Sequence, residues 1–238
     1  MSGEALAMVE FSRLMIAALL CWVLCVCVHE FSHALVAYIG GDRSVRERGY
    51  LSLDPTKFID PVSSLLIPAI VLMLGGVPLP GGAVRIDESA LRNRHWQVAM
   101  SAAGPVSNLV LFLLFAMPLH PMFGLVESSS TTQPTWVYFL GAMASLNFIG
   151  ALFNLIPCPP LDGYRIIEHR LPRDLQERMR HPQAAMAAFG VLFVLIWTID
   201  DAMMPFYWML IRVCDALNLP AVTLFEGLEV VLFNRWPG

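Results

Sequence analysis

Long apolar stretches separated by short polar connections run through almost the whole chain, and they predict membrane helices. A helix needs about 20 predominantly apolar residues to cross a bilayer. Five stretches are candidates for membrane segments: residues 14–28, continuing as helix to 39, then 62–74, 96–118, 136–156 and 184–199. The pattern therefore predicts an all-α polytopic membrane protein with about five to six membrane segments.

Three parts of the pattern carry a more specific expectation. Residues 62–74 cover only about two-thirds of a span, so this segment is short for a full crossing. Residues 206–233 are apolar but broken by one aspartate, one proline and two glutamates, so they could form a poor span or a pair of interfacial helices. After the first helix, residues 49–53 (Gly-Tyr-Leu-Ser-Leu) are expected to form a short β-strand.

The composition agrees with a membrane protein. Apolar residues make up 57% of the 238 residues and charged residues 14%, against about 25% charged residues in an average soluble protein. The net charge of -4 and the lack of a Lys/Arg cluster argue against nucleic-acid binding. The five cysteines lie in or beside apolar stretches without a C-x-x-C pair, so no disulfide framework is expected. Glu4 and Glu10 stand where a cleaved signal peptide would carry basic residues, so a cleaved signal peptide is not expected.

The first apolar stretch leads into an H-E-x-x-H sequence, His29-Glu30-Phe31-Ser32-His33. Histidines at i and i+4 lie about 40° apart around a helix, so both imidazoles face one side and can bind one zinc ion. Glu30 is about 100° round from His29, where a carboxylate can act on water without binding the metal. The pattern also occurs by chance. Within an apolar helix, however, burying such polar groups costs free energy, which a bound metal can offset. Their presence there therefore indicates a functional site.

A catalytic zinc site needs a third protein ligand and keeps a fourth position for water. The fourth apolar stretch ends in residues 154–163, Asn-Leu-Ile-Pro-Cys-Pro-Pro-Leu-Asp-Gly, where three prolines stop the helix. Asp162 would be presented from this non-helical segment and is the favoured third ligand. The alternative for Asp162 is a turn in the headgroup region, and Cys158 is the competing ligand because its sulfur is soft.

A mixed Cys/His site is a further possibility. Cys21 and Cys25 lie two turns and one turn before His29 on nearly the same face of the helix. Packing is the preferred interpretation for both, because buried cysteine behaves as a small hydrophobic residue and the two histidines already fill that face.

Both motifs together resemble the site-2 protease family of intramembrane metalloproteases, and more narrowly its minimal bacterial and archaeal branch without PDZ or CBS domains. The resemblance rests on His29-Glu30-x-x-His33 and on Asn154-x-x-Pro157-x-Pro159-x-Leu161-Asp162-Gly163, and it covers about residues 26–168. Residues 49–55, 59–61 and 101–108, the last reading Ser-Ala-Ala-Gly-Pro-Val-Ser-Asn, also fit that branch.

The resemblance implies a Zn²⁺-dependent endopeptidase that hydrolyses peptide bonds of membrane-protein substrates within or near the bilayer. His29, His33 and Asp162 would bind the zinc, Glu30 would be the catalytic base, and Asn154 would contact the substrate or the transition state. The expected partners are a transmembrane-helix substrate and the lipid bilayer, with no nucleic acid. The oligomeric state does not follow from the sequence.

The connections between apolar stretches are too short for a PDZ-sized domain, so residues 1–238 are interpreted as one integral-membrane domain. Its catalytic core is expected at about residues 12–168, with further membrane segments at about 183–234. Two other function classes compete: a metal or proton transporter that uses the His/Glu/Asp cluster as a relay, and an inactive membrane scaffold. The remaining histidines lie near loops, which argues against a relay, and the intact motif set argues against a scaffold.

The membrane topology follows from the two motifs and from the basic residues. His29 and Asp162 can meet at one metal only if the first and fourth stretches run the same way, so residues 62–74 are expected to be re-entrant. Residues 40–60, 75–95 and 165–182 hold twelve of the fifteen Lys and Arg, and residues 119–135 hold none. The positive-inside rule then predicts a multi-pass protein of the cell (inner) membrane, with its active site nearer the cytoplasmic side.

Overall fold

The computed structural model describes residues 3–58, 84–126, 133–199 and 201–233. These residues form nine α-helices joined by turns and short 3-10 helices, and they contain no β-strand. The helices are α1 (Gly3–Gly40), α2 (Ser44–Glu47), α3 (Arg94–Ala116), α4 (Thr135–Asn154), α5 (Asp162–Ile167), α6 (Arg173–Arg180), α7 (Pro182–Thr198), α8 (Met204–Leu217) and α9 (Ala221–Phe233). The predicted all-α membrane architecture is confirmed at this level.

Three helical stretches are long and apolar enough to cross a membrane: Val9–Gly40, Arg94–Leu119 and Thr135–Asn154. A fourth crossing is added if α6 and the following helix, which bend by 94° at the break between them, are taken as one span. The predicted count of five to six segments is therefore not reached within the described residues. Residues 62–74, expected to be re-entrant, lie outside the described residues.

The ambiguous region at 206–233 resolves into two short helices. α8 has 14 residues and α9 has 13, and at about 1.5 Å per residue neither reaches across a hydrocarbon core of about 30 Å. The alternative of two short helices thus replaces that of a single poor span.

The chain divides into two compact units, and the first comprises residues 1–25, 108–149 and 208–238. Its core includes the buried side chains of Leu14, Tyr138 and Val230, which come from α1, α4 and α9. Helix α9 packs so closely on α4 that a Cβ at Gly227 would lie 2.5 Å from the carbonyl oxygen of Tyr138. Such a contact is possible only without a side chain, which accounts for the glycine.

The second unit comprises residues 26–107 and 150–207. Its core, at the carboxy-terminal end of α1, buries Ala34, Ala37, Val45, Leu91 and Met100. Residues 49–53 do not form the predicted strand. Gly49 has a φ of +78° and Ser52 donates its hydroxyl proton to the Gly49 carbonyl, so the chain turns here. Tyr50 and Leu51 pack against the core from this turn, and the apolar pattern thus reflects packing rather than strand pairing.

Asp42 connects the end of α1 to the segment that leads into α3. This residue is only 1% exposed. Its Oδ1 accepts hydrogen bonds from the backbone N–H and hydroxyl of Ser44, and its Oδ2 accepts one from the Asp87 N–H at 2.8 Å. A buried carboxylate needs such partners to offset its desolvation. The consequence is that residues 84–87 are fixed beside α1.

Candidate metal centre

The H-E-x-x-H residues lie inside α1, as the sequence predicts, and all three polar side chains are buried. His29, Glu30 and His33 are 8%, 7% and 6% exposed. The helix continues without interruption through the motif, so the two imidazoles project from one face, one turn apart, with ring centroids 4.7 Å apart. Local helix geometry is therefore enough to bring two nitrogen donors together.

Asp162 reaches the same place from a different element. The chain leaves α4 at Asn154 and turns, with the Leu161 N–H donating to the Cys158 carbonyl, before α5 begins at Asp162. The three prolines between these helices are consistent with this break. Asp162 is thus the first residue of a new helix, and its side chain meets both histidines.

The three donor atoms form a nearly equilateral triangle. Nε2 of His29 lies 3.1 Å from Nε2 of His33. Oδ2 of Asp162 lies 3.2 Å from the first nitrogen and 3.3 Å from the second. A tetrahedral zinc ion with bonds of about 2.0–2.1 Å separates its ligand atoms by about 3.3–3.4 Å. The triangle therefore has the size that three ligands of one zinc ion require.

The hydrogen bonding of the donors also fits a cation. Nδ1 of His33 lies 2.7 Å from the Met100 carbonyl oxygen, and since a carbonyl only accepts, Nδ1 carries a proton. In the neutral imidazole, the form that binds a metal, Nε2 then presents its lone pair. Oδ2 of Asp162 is buried and accepts no hydrogen bond from any residue within the described ranges. Buried acceptors aimed at one point without a donor are what a metal ion would satisfy.

The charge state of Asp162 suits a ligand. Burial alone would raise the pKa of its carboxyl, but His33 and His29, when protonated, outweigh burial and hold that pKa well below its usual range; a bound zinc ion would supply the positive charge in place of the imidazole protons. The carboxylate is therefore ionised at neutral pH, as metal binding requires.

Glu30 lies beside this group without belonging to it. The described His, Cys, Asp and Glu residues that can hold a metal ion together are His29, His33 and Asp162. The Glu30 Oε2 instead accepts a hydrogen bond from the backbone N–H of Val84 at 3.3 Å. A buried carboxylate next to these candidate metal ligands, oriented by the main chain, can serve as a general base.

The cysteine alternatives are not brought into the ligand group. The Cys158 thiol points to the Pro159 carbonyl at 3.5 Å, and burial raises its pKa, which disfavours the thiolate that would bind a metal. In the first unit, the Sγ of Cys25 accepts a hydrogen bond from Asn147 at 3.4 Å. Asn154 is the half-buried last residue of α4, and its contact with substrate stays a prediction.

Three contacts of the centre come from residues for which no function is predicted from the sequence. The Met100 carbonyl, the Val84 N–H and Gly104 all border the buried polar group on α1. Met100 and Val84 act through the main chain, so their side chains carry no signal. Gly104 belongs to residues 101–108, Ser-Ala-Ala-Gly-Pro-Val-Ser-Asn. This segment resembles the site-2 protease family, but the resemblance alone does not assign it a role.

Comparison with known proteins identifies the family. The model of peptidase family M50 matches residues 118–198, a range that contains Asn154 and Asp162. No solved structure matches the chain.

Two similar proteins both bear the name "Putative zinc metalloprotease". Rip2 of Mycolicibacterium smegmatis is 34% identical over 198 residues, which cover 80% of this chain and 69% of the relative. YwhC of Bacillus subtilis is 37% identical over 174 residues, which cover 70% and 75%. Relatives of this identity and coverage, together with the matching family model and the H-E-x-x-H and Asp162 geometry, show that the chain belongs to peptidase family M50, the site-2 protease family.

Proposed function

We propose that this protein is an intramembrane zinc metalloendopeptidase that hydrolyses peptide bonds of other membrane proteins within or near the bilayer. One observation carries the proposal: three donor atoms from His29, His33 and Asp162 form a zinc-sized triangle, with the buried carboxylate of Glu30 beside it. The names of the M50 relatives support zinc as the metal.

The residues present fit a catalytic rather than a structural metal. Two histidines and one carboxylate leave a fourth position for water, whereas structural zinc sites use four protein ligands. Bound zinc would supply Lewis acidity, which lowers the pKa of water and polarises the scissile carbonyl. The chain itself holds the donor atoms in place. The Met100 carbonyl orients the His33 ring, and the donors come from two helices, the histidines from α1 and Asp162 from α5.

Glu30 handles the protons of the reaction. As the water attacks the scissile carbonyl carbon, the Glu30 carboxylate takes up a proton, and it later delivers this proton to the leaving amine nitrogen. Asn154 could donate a hydrogen bond to the carbonyl oxygen as negative charge develops there. A helical substrate must unwind first, because its carbonyls are engaged in i to i+4 hydrogen bonds.

The location of the centre supports a substrate within or near the membrane. His33 lies five residues before Tyr38, which is about 7–8 Å along a helix. Arg43 lies over the Tyr38 ring at 4.3 Å, and aromatic and basic residues of this kind are typical of a membrane–water interface. Because the basic loops are expected on the cytoplasmic side, we place the active site nearer that side of the inner membrane.

Glu30→Gln tests the proposal, because glutamine keeps the shape of glutamate and cannot take up a proton. Zinc content should persist while turnover falls by about 10²–10⁴-fold, as for loss of a general base. Membrane-protein fragments with new amino termini should then appear in cells with the wild type and disappear in cells with this variant. Glu10→Gln is the matched control, since Glu10 lies earlier on the same helix, where its carboxylate accepts a hydrogen bond from Thr135.

The same comparison separates the competing functions. A transporter would move metal or protons and produce no fragments in either strain, and a scaffold would show no effect of Glu30→Gln. Fragments produced at the wild-type rate by the zinc-loaded Glu30→Gln protein would refute the proposed chemistry.

A further inference from the structure

Helix α3 borders the metal centre at two positions, one helical turn apart. At the first, the Met100 carbonyl oxygen accepts the Nδ1 proton of His33 at 2.7 Å. At the second, Gly104 faces the two imidazoles, and its missing side chain would point straight at their Nε2 atoms. Residues i and i+4 share one face of a helix, so one face of α3 forms a wall of the centre.

The position of a Cβ at residue 104 conflicts with the ligand atoms. It would lie 2.5 Å from both Nε2 and Cε1 of His29, and closer still to Nε2 of His33. Real Cβ atoms essentially never approach other heavy atoms within 3.0 Å. The conflict is with the Nε2 side of both rings, and for His33 this is the side away from the Nδ1 that faces Met100. A side chain at 104 would thus compete with the metal for the same donors.

Neither imidazole can move aside easily. His33 is 6% exposed, and turning its ring away would break its bond to Met100, which belongs to the same helix as Gly104. His29 is 8% exposed, and its Nε2 lies 3.1 Å from Nε2 of His33 and 3.2 Å from Oδ2 of Asp162. Interiors packed this closely relax only in part around an added methyl group.

We propose that Gly104 is a positioning residue of the metal centre: by lacking a side chain, it leaves the Nε2 atoms of His29 and His33 free to bind one zinc ion together. The proposal rests on the proposed zinc site and adds a requirement that the ligand set alone does not state. With any side chain at 104, the protein keeps His29, His33, Asp162 and Glu30 and still loses its metal.

An alternative role for the glycine is close packing of helices, as at Gly227. There a Cβ would meet main-chain atoms of α4, whereas at Gly104 it would meet the metal ligands themselves. The two roles differ in what they predict for a substitution. Loss of packing lowers stability and leaves zinc affinity unchanged, whereas a blocked centre lowers zinc affinity.

The experiment compares full-length wild type, Gly104→Ala and Gly190→Ala, purified in detergent and stripped of metal. Gly190 is a matched control because it lies inside α7, and a Cβ there would meet no atom of the described residues within 4 Å. Zinc affinity is measured in metal-buffered solutions, and the zinc-dependent rise in melting temperature is measured in parallel, since a ligand of the folded state stabilises it.

We expect wild type and Gly190→Ala to bind zinc alike. Gly104→Ala should bind at least about 100-fold more weakly, the upper range for disturbing residues next to a metal's ligands, and zinc should no longer raise its melting temperature. Equal zinc affinity in Gly104→Ala, with or without a lower melting temperature, would overturn the inference. A wild type that binds no zinc would instead refute the proposed function, on which the inference rests.

A second pair of variants covers the case in which Gly104→Ala does not fold. In a His29→Ala/His33→Ala background both imidazoles that a Cβ at residue 104 would meet are gone, so adding Gly104→Ala should leave the melting temperature of that background unchanged. A triple variant that fails to fold while this background folds would show that α3 needs the glycine for general packing, and the inference would be wrong.

Discussion

The backbone N–H of Val84 donates a hydrogen bond to the Glu30 carboxylate, 54 residues away in the sequence, at 3.3 Å. Three residues later, the Asp87 N–H donates to Asp42, just after the same helix ends. Two carboxylates, Glu30 and Asp42, therefore hold residues 84–87 alongside the helix that carries the H-E-x-x-H motif. The candidate general base thus has a fixed orientation before any substrate arrives.

Replacing Val84 with proline should lower activity without removing zinc, because proline has no N–H to donate. Hydrogen bonds to charged groups contribute about 1.5–3 kcal/mol, so the cleavage rate should fall by about tenfold or more. Val84→Ala is the control, since it shortens the side chain and keeps the N–H. The measurement is the rate of cleavage of a substrate identified in the Glu30→Gln comparison. Equal rates in the proline variant and the wild type would show that this contact does not orient Glu30.

Asp162→Ala should abolish both zinc binding and cleavage, because it removes one of three donor atoms. Cys158→Ser should leave both nearly intact, since the Cys158 sulfur is turned to the Pro159 carbonyl. Metal analysis of the two purified variants, alongside their melting temperatures, distinguishes the ligands. Loss of zinc in the cysteine variant alone would reverse the assignment.

The loops before and after residues 59–83 should lie on the same side of the membrane. In the second unit, the Arg92 N–H donates to the Gly40 carbonyl at 2.9 Å, and the Arg48 guanidinium donates to the Arg85 carbonyl at 2.7 Å. Cysteines introduced at exposed Glu47 and Ala90 should therefore react with an impermeant thiol reagent from the same side.

A cysteine at Met122 is the matched control, because it lies beyond the membrane-spanning length of Arg94–Leu119 and should be labelled from the other side. Labelling of positions 47 and 90 from opposite sides would contradict this topology and the re-entrant interpretation of residues 62–74.

The sequence predicts the parts of the site that depend on short-range geometry. His29 and His33 share a face because of helix periodicity, and Glu30 follows from its place between them. Asp162 requires more than local geometry, because a carboxylate 129 positions after His33 comes within reach of the two histidines only through the tertiary fold. The order of the two motifs, as in site-2 proteases, provided that information.

Other features depend on contacts that no local pattern encodes. Residues 49–53 have an apolar pattern suited to a strand, yet Tyr50 packs against the α1 core from a turn. The sequence of residues 206–233 fits two short helices and a single membrane span equally well, because its charged residues are compatible with either. Val84 and Gly104 reach the centre from segments more than 50 residues away, so only the fold shows their contacts.

The wall that α3 presents to the metal centre has a consequence for how the protein can be probed and how it can vary. Its two contributions are a carbonyl oxygen at Met100 and a missing side chain at Gly104. Alanine scanning does not detect the first, because every residue has the same backbone carbonyl. For the hydrogen bond to His33 alone, the side chain at position 100 can therefore vary. The second is visible only when something is added, so the informative substitutions along this helix are those that enlarge a residue.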